Sequence, residues 1–212
     1  MGALYSTCPQ TGKTLDSCSL RHIMSVTDVN DEFGRPLKDL RISVTDRCNF
    51  RCRYCMPRER FNEDHTFLPK RAFLSFDEIE KVVRSTISLG LEKVRITGGE
   101  PLLRKNLPEL ISKLSKLDID IALTTNASLL KKNAKALRLA GLNRVTISLD
   151  ALDPELHKQM SDSNISVDSI LEGIDEAVRV GLSPVKINCV VQKGVNEEEV
   201  SKLVHYFRGT GI

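Results

Sequence analysis

The sequence lacks an excess of charge of either sign, since 31 Lys and Arg residues nearly balance 28 Asp and Glu residues and leave a formal net charge of +3. The two signs are mixed along the whole chain, so no basic stripe indicates nucleic-acid binding. No apolar run approaches the roughly 20 residues that a membrane span needs. We therefore expect neither a nucleic-acid partner nor an association with a membrane.

The first residues also lack the uninterrupted apolar stretch of a signal peptide. They contain acidic residues and little arginine, which argues against a transit peptide. Six cysteines are present, and they are clustered as metal ligands are, rather than spaced like a secreted disulfide scaffold. We therefore expect a reducing compartment, which is the cytoplasm in a bacterium or the mitochondrial matrix in a eukaryote.

Two regions differ in pattern. Residues 1–38 are polar and irregular and predict a flexible N-terminal tail. From residue 39 to residue 212, β-like runs alternate with amphipathic helices, which predicts one α/β core with a parallel sheet and right-handed crossovers. Periodicity alone allows a closed barrel, an open barrel or a doubly wound sheet. The β-like runs are 40–45, 93–99, 120–126, 144–150 and 185–191.

The helices are predicted from 3.6-residue periodicity and from their termini. In the first, Ser75 and Glu78 have the spacing of a capping box, and Gly90 follows where the helix should end. The second repeats the pattern over 107–117. In the last, Asn196 is the expected N-terminal cap, and the residues predicted to face the core are Val200, Leu203, Val204 and Phe207.

Polar and apolar residues alternate along the predicted strands, although strands covered on both faces are nearly continuous hydrophobic runs. The apolar positions suit packing beneath helices. Arg41, Arg95, Ser148 and Lys186 all fall on the other, polar set. A solvent-facing strand surface would explain any one strand, but the agreement of four strands predicts a wide polar lumen that holds a polar ligand.

Three cysteines, Cys48, Cys52 and Cys55, follow the first predicted strand, at the end where βα folds place their chemistry. Three arginines lie among them and would favour thiolates over thiols. Structural zinc takes four ligands, and the next candidate, His65, lies in an unrelated loop. A [4Fe–4S] cluster is also normally held by four cysteines, so three would leave one iron open to a small molecule.

The spacing C-x3-C-x2-C, together with RITGGEP at 95–101, resembles the radical S-adenosylmethionine enzymes. The resemblance extends to one family within that group, in the order and spacing of its motifs, from about residue 33 to the end of the chain. The motifs are LRISVTDRCNFRCRYCMP, KVRITGGEPLLR, LTTNASLL, VTISLDALDP and VKINCVVQKGVNEEE. They resemble the GTP 3′,8-cyclases of molybdenum cofactor biosynthesis.

This resemblance implies a partial, open βα TIM-like barrel with about five βα units. It implies a lyase that uses a [4Fe–4S] cluster and S-adenosyl-L-methionine to convert GTP to (8S)-3′,8-cyclo-7,8-dihydroguanosine 5′-triphosphate. A cyclic pyranopterin monophosphate synthase would act downstream, and the chain could form a homodimer.

The family's functional residues can be carried over by motif. Cys48, Cys52 and Cys55 would ligate the cluster, and Tyr54, Gly99 and Ser148 would contact S-adenosyl-L-methionine. The expected contacts of GTP are Arg41, Arg95, Thr124 and Lys186, with Lys93 as a further candidate. An internal ion pair with Asp150 or Glu100 is the alternative explanation for the arginines.

Two features depart from the family. Ala127 stands where the family usually has the glycine of TTNG, and the family's sequences continue beyond Ile212 with a final strand and a second cysteine triplet. A radical enzyme with another substrate, or an inactive short chain that binds only the cluster or a partner, therefore remain alternatives. Cys189 is expected to be a buried core residue. No catalytic role is assigned to His22, His65, His157 or His205.

Overall fold

The structure is a computed structural model that describes residues 29–212. Residues 1–28, which include most of the predicted tail, Cys8, Cys18 and His22, lie outside the described residues. Ahead of the first strand, Asn30 and Pro36 form an isolated antiparallel bridge. The turn between them is held by an ion pair between Asp31 and Arg35, with an oxygen–nitrogen distance of 2.7 Å.

Five strands form one sheet, and every neighbouring pair is parallel. They are β1 (Asp39–Ser43), β2 (Lys93–Thr97), β3 (Asp120–Thr125), β4 (Arg144–Ser148) and β5 (Val185–Asn188). Their spatial order is their order in the chain. This order excludes a doubly wound sheet, in which the strand order reverses. Among residues 29–212, β1 and β5 are not paired, so the structure confirms the open, partial barrel.

Six helices connect or follow the strands. They are α1 (Phe76–Ile87), α2 (Leu107–Leu114), α3 (Leu130–Leu139), α4 (Pro154–Ser161), α5 (Val167–Arg179) and α6 (Glu197–Phe207). The capping box of α1 is confirmed: the Ser75 hydroxyl accepts the Glu78 N–H, and the Glu78 carboxylate accepts the Ser75 N–H at 2.7 Å. Within the described part of the chain, no helix is both long and apolar enough to cross a membrane.

The core lies between the sheet and its helices. Val94, Ile96, Val145 and Ile147 are completely buried, as their apolar positions predict, and they pack against the apolar faces of the helices. Residues at the alternate positions of β2 and β4 are half-buried. The sequence pattern therefore separates a helix-covered face from a polar face, and the polar face is where a ligand can bind.

Some predicted details are wrong. β5 ends at Asn188 rather than at residue 191, because the Val190 N–H is taken by the Asp150 carboxylate at 2.8 Å. Asn196 stands at the N-terminus of α6 but makes no capping bond; its side-chain amide donates to the Asp150 carbonyl instead. Val200 and Val204, which were expected in the core, are 37% and 65% exposed.

Candidate cofactor and substrate site

A cavity of about 240 Å³ opens at the carboxyl ends of the strands. Residues at the ends of β2, β3, β4 and β5 contribute to its wall, together with the cysteine-containing segment after β1. The cavity brings together all the predicted ligands of the cluster and of S-adenosyl-L-methionine, and one of the predicted contacts of GTP. These lining residues are Cys48, Cys52, Tyr54, Cys55, Gly99, Thr124 and Ser148.

The cysteine loop, residues 46–57, is held in shape by its own backbone and by Arg51. The N–H groups of Cys55 and Met56 both donate to the Cys52 carbonyl at 2.9 Å. The Arg51 guanidinium donates to the carbonyls of Cys48 and Phe50 at 2.7 and 2.9 Å. The Arg51 Nε also donates to the Phe61 carbonyl beyond the loop at 3.2 Å, so the side-chain hydrogen bonds of Arg51 go to backbone carbonyls rather than to sulfur.

The Cys48 and Cys52 thiols of this loop are half-buried, whereas Cys55 is exposed. Burial raises the pKa of the Cys48 thiol, against the effects of the Phe50 N–H and the Arg51 charge. Burial, with smaller contributions from Cys48 and Asp150, raises the pKa of the Cys52 thiol to about 12. The Arg51 charge favours the Cys48 thiolate as expected, but burial outweighs it, and for Cys52 burial dominates without any opposing arginine. Metal binding must therefore displace the protons of these two thiols.

The donor set fits a cluster better than a single ion. Across residues 29–212, no three His, Cys, Asp or Glu side chains are close enough to hold one metal ion. The three thiols nevertheless line one cavity, and thiolates are the ligands that iron–sulfur clusters use. The three thiols are therefore a donor set that an iron–sulfur cluster can use.

Gly99 allows the loop after β2 to lie directly on the cysteine loop. Its N–H donates to the Thr45 carbonyl at 2.8 Å, and the next N–H, of Glu100, donates to the Arg47 carbonyl at 2.8 Å. A Cβ on Gly99 would be only 2.3 Å from the Arg47 carbonyl oxygen. The sequence suggested that glycine lets the backbone approach a ligand; the structure shows that it also lets two loops touch.

Glu100 connects the strand ends behind the cavity. It is completely buried, and its carboxylate accepts the Thr125 hydroxyl at 2.7 Å and the Asn126 N–H at 2.8 Å. Burial raises the pKa of Glu100, whereas these bonds oppose the rise. The Asn126 amide in turn donates to the Asn49 side chain at 3.0 Å. The ends of β2 and β3 are thereby joined to the cysteine loop.

The loop after Asn126 contains the residue that departs from the family pattern. Ala127 has a φ of 60°, in the left-handed region that glycine adopts readily and alanine only with strain. Its side chain is completely buried. The departure therefore concerns backbone conformation, at a position where the glycine of the family's motif would be unstrained.

Asp150 was considered only as an ion-pair partner, but the structure gives it another role. Its carboxylate accepts the Tyr54 hydroxyl at 2.6 Å and the Val190 N–H at 2.8 Å. Burial and this carboxylate both raise the pKa of Tyr54. Asp150 lies two residues beyond Ser148, past the end of β4 but on the polar set of the predicted run 144–150, and that position is the signal that could have identified it.

The predicted cationic contacts of GTP lie on the polar face but do not line the cavity. Arg41 of β1 is in register with Arg95 of β2. Asp39 lies 3.3 Å from the Lys93 ammonium and 3.7 Å from the Arg95 guanidinium. The internal ion pair thus exists for these two residues, with Asp39 rather than with Asp150 or Glu100.

The remaining two cations differ from this pair. Arg41 and Lys186 are exposed and have no ion-pair partner within the described part of the chain. Lys186 is in register with Thr146, which is in register with Thr124 at the cavity wall.

Cys189 is half-buried rather than buried, and its thiol lies 3.6 Å from the Asp150 carbonyl.

The chain belongs to the Radical SAM superfamily, whose sequence profile matches residues 42–207. Among curated proteins, a GTP 3′,8-cyclase of Staphylococcus carnosus is 52% identical over 189 residues, which cover 88% of this chain and 55% of that protein. A GTP 3′,8-cyclase of Xanthomonas campestris is 52% identical over 190 residues, covering 89% and 56%. The chain thus spans little more than half the length of these relatives.

Solved structures show the same fold at lower sequence identity. SuiB of Streptococcus suis, bound to S-adenosylmethionine, superposes with a TM-score of 0.67 at 23% identity, over 81% of this chain and 38% of that one. Methylornithine synthase superposes with a TM-score of 0.63 at 18% identity, over 84% of this chain and 51% of that one.

Proposed function

We propose that the chain carries the cofactor site and part of the substrate site of a GTP 3′,8-cyclase, which forms (8S)-3′,8-cyclo-7,8-dihydroguanosine 5′-triphosphate in the first step of molybdenum cofactor biosynthesis. The observation that supports this most is the common cavity of the three cysteines with Tyr54, Gly99 and Ser148. The 52% identity to proteins named GTP 3′,8-cyclase supports the choice of substrate.

Cys48, Cys52 and Cys55 would hold a [4Fe–4S] cluster in the cavity. Bound there with S-adenosyl-L-methionine, the cluster supplies the electron for radical formation. The chain contributes a loop whose Cys48 and Phe50 carbonyls are held by Arg51. Phe50 and Met160 are buried in the cavity wall and keep water from that side.

Tyr54, Gly99 and Ser148 would bind S-adenosyl-L-methionine. Tyr54 is kept at the cavity by its hydrogen bond to the buried Asp150. Gly99 is fixed by the Thr45 carbonyl, and its missing side chain leaves room for the cysteine loop. Tyr54 and Gly99 are therefore placed by neighbours that do not themselves need to touch the cofactor, which is how preorganised sites are supported.

Arg41, Arg95, Lys186 and Thr124 would bind GTP, with Lys93 beside them. Arg41 and Lys186 have no ion-pair partner among the described residues, and a triphosphate would supply negatively charged partners for them. Arginine suits bidentate contact with phosphate. For Lys93 and Arg95 the triphosphate would compete with Asp39. Thr124 lies at the cavity wall, so it would contact the part of GTP closest to the cysteines.

The remaining proposals concern the setting of the enzyme. We infer that its product passes to a cyclic pyranopterin monophosphate synthase and that the chain can pair with a second copy. The bacterial origin of the relatives supports a cytoplasmic location; in a eukaryote it would be the mitochondrial matrix.

Anaerobic reconstitution tests the proposed function. The chain is incubated with iron, sulfide and a reductant, then with S-adenosyl-L-methionine and GTP, and the products are separated by chromatography. We expect four-iron absorbance, 5′-deoxyadenosine and the cyclised nucleotide. Deoxyadenosine without the cyclised nucleotide would contradict the GTP assignment for this chain.

A cysteine series gives the matched control. Replacing Cys52 with serine should abolish the four-iron absorbance, whereas replacing Cys189 should not, since Cys189 does not line the cysteine cavity. Equal iron content in both variants would reject the cluster site itself.

A further inference from the structure

Two polar side chains of α4 are buried without hydrogen-bond partners. His157 and Ser161 are each 4% exposed. The His157 Nε2 and the Ser161 Oγ form no hydrogen bond within residues 29–212. Both residues line the cavity that contains the cysteines. Apart from them, only one oxygen of Asp46 shares this unpaired state among the described side chains.

Unpaired polar groups of this kind are unfavourable in a folded protein. A buried donor or acceptor without a partner lowers stability, and most such groups in native structures are paired. His157 and Ser161 are four residues apart in one helix, so they lie on the same face of it. Two unpaired groups on one helix face, beside one cavity, suggest that a single bound molecule supplies both partners.

The helix that carries them is attached to the cysteine loop. The Arg51 N–H donates to the Ser161 carbonyl at 2.9 Å, and the Arg53 N–H donates to the Met160 carbonyl at 3.3 Å. The Phe50 ring meets the His157 ring edge to face, with centroids 6.1 Å apart. The position of His157 and Ser161 relative to the cofactor cavity is therefore fixed by the fold.

The electrostatics of His157 favour an uncharged partner. Burial lowers the pKa of His157, and Asp150 opposes this only in part. A neutral imidazole has one N–H donor and one nitrogen acceptor, and the Ser161 hydroxyl can likewise donate and accept. The methionine carboxylate would be better matched by a cation. An adenine edge or a ribose hydroxyl supplies uncharged donors and acceptors.

We propose that the His157 Nε2 and the Ser161 Oγ bind the nucleoside part of S-adenosyl-L-methionine through hydrogen bonds. This proposal rests on the proposed function, because it concerns the cofactor of the same cavity. It adds two binding residues from α4 to those after β1, β2 and β4. It also explains why a histidine with no convergent partners in the sequence is nevertheless buried beside the cysteines.

The test measures cofactor affinity directly. The reconstituted chain and its variants are dialysed to equilibrium against labelled S-adenosyl-L-methionine and, separately, against 5′-deoxyadenosine and methionine. His157→Phe keeps an aromatic ring against Phe50 but removes the Nε2, and Ser161→Ala removes only a hydroxyl. Each should weaken binding of S-adenosyl-L-methionine and of 5′-deoxyadenosine roughly three- to tenfold, with methionine binding unchanged.

Two further variants serve as controls. His157→Gln places an amide nitrogen near the position of the Nε2 and should retain most of the affinity. His205→Gln changes an exposed histidine of α6 and should leave all three affinities unchanged. Iron content and the electron paramagnetic resonance spectrum of the reduced cluster should be the same in every variant.

The outcomes separate this inference from the proposed function. Unchanged affinities in both His157→Phe and Ser161→Ala would overturn the inference alone, whatever the two substitutions do to thermal stability. An unmodified chain that loads a cluster but binds no S-adenosyl-L-methionine would contradict the proposed function and the inference together.

Discussion

Asp150 shows at the scale of a single residue how the site is held. It joins Tyr54 of the cysteine loop to Val190 beyond β5, and both bonds are partly buried. The two partners are far apart in sequence, so no local pattern could reveal them. The sequence shows that Asp150 continues the polar set of the fourth predicted strand, but it does not show which groups Asp150 binds.

Replacing Asp150 with alanine should lower the free energy of unfolding by about 3 kcal/mol, because the Tyr54 hydroxyl and the Val190 N–H, in two partly buried bonds, lose their carboxylate acceptor. Urea unfolding followed by circular dichroism measures this. Asp175→Ala, at an exposed position of α5, should change the value by less than about 0.5 kcal/mol. Equal effects of the two substitutions would mean that the bonds to Asp150 contribute nothing to stability.

Gly99 is a second residue with a measurable role. Gly99→Ala places a methyl group against the Arg47 backbone, so it should cost about 1–3 kcal/mol and reduce iron uptake by displacing the cysteine loop. The comparison is Gly173→Ala in α5, where the added carbon would be 3.1 Å from the Ala127 carbonyl oxygen and alanine favours the helix. Iron content equal to that of the unmodified chain after Gly99→Ala would argue against this contact between the loops.

At the scale of elements, alternation along the strands predicted the sheet well. Strand number, parallel direction and the choice of buried face follow from period-two patterns, and all are confirmed. The predicted end of β5 and the predicted buried face of α6 were wrong, because both depend on tertiary contacts. Asn196, for example, has the right residue type for a cap, yet its amide is used by the Asp150 carbonyl.

The register of β1 with β2 places Arg41 beside Arg95 and predicts a substrate effect. Arg41→Ala should weaken GTP binding by roughly 10- to 100-fold, as expected for the loss of a charged hydrogen bond. Equilibrium dialysis with GTP gives the value. Arg84→Ala on α1, where the arginine pairs with Glu80 at 2.7 Å, should have no effect. A GTP affinity unchanged by Arg41→Ala would remove Arg41 from the substrate site.

The attachment of α6 predicts a dependence on pH. Glu199 is buried, and its carboxylate accepts the Leu152 N–H at 2.7 Å and the Lys202 ammonium at 2.6 Å. Burial acts to raise the pKa of Glu199, but these partners hold it below the usual 4.5. The carboxylate therefore stabilises the fold above pH 4.5, and this contribution is lost as pH falls through the lowered pKa.

Glu199→Gln should consequently lower the free energy of unfolding by about 2 kcal/mol at pH 7, and the difference from the unmodified chain should shrink below pH 4.5. Urea titrations between pH 7 and pH 3 measure the trend. Glu198→Gln, at an exposed position of the same helix, should differ little from the unmodified chain at pH 7. A difference that stays constant as pH falls would exclude ionised Glu199 as its cause.

At the scale of the whole molecule, the cysteine loop connects distant parts of the chain. It contacts the loop after β2 through the Arg47 carbonyl and contacts α4 through the N–H groups of Arg51 and Arg53. The cysteine spacing could be read from the sequence, and these attachments could not. A ligand held by the loop should therefore stabilise the entire core rather than one segment.

Cluster loading should raise the midpoint of thermal unfolding by about 5–10 °C, because a ligand that binds only the folded state stabilises it. Calorimetry before and after anaerobic reconstitution measures the shift, and chelation of the iron should reverse it. Cys189→Ser should shift like the unmodified chain, whereas Cys52→Ser should not shift. The same midpoint with and without iron would contradict a structural link between loop and core.

The register of the parallel strands also fixes the distance between the arginines of the polar face and the cavity. Arg41 and Arg95 are register partners and so lie at the same position along the strand direction. Arg95 is in register with Ala122, so Thr124 lies two residues, or one pleat, further toward the cavity. Each pleat of two residues advances about 7 Å. A molecule anchored by its phosphates at the arginines would reach the cysteine end only if its length matched these steps. The strand register would thus select the substrate by its length as well as by its charge.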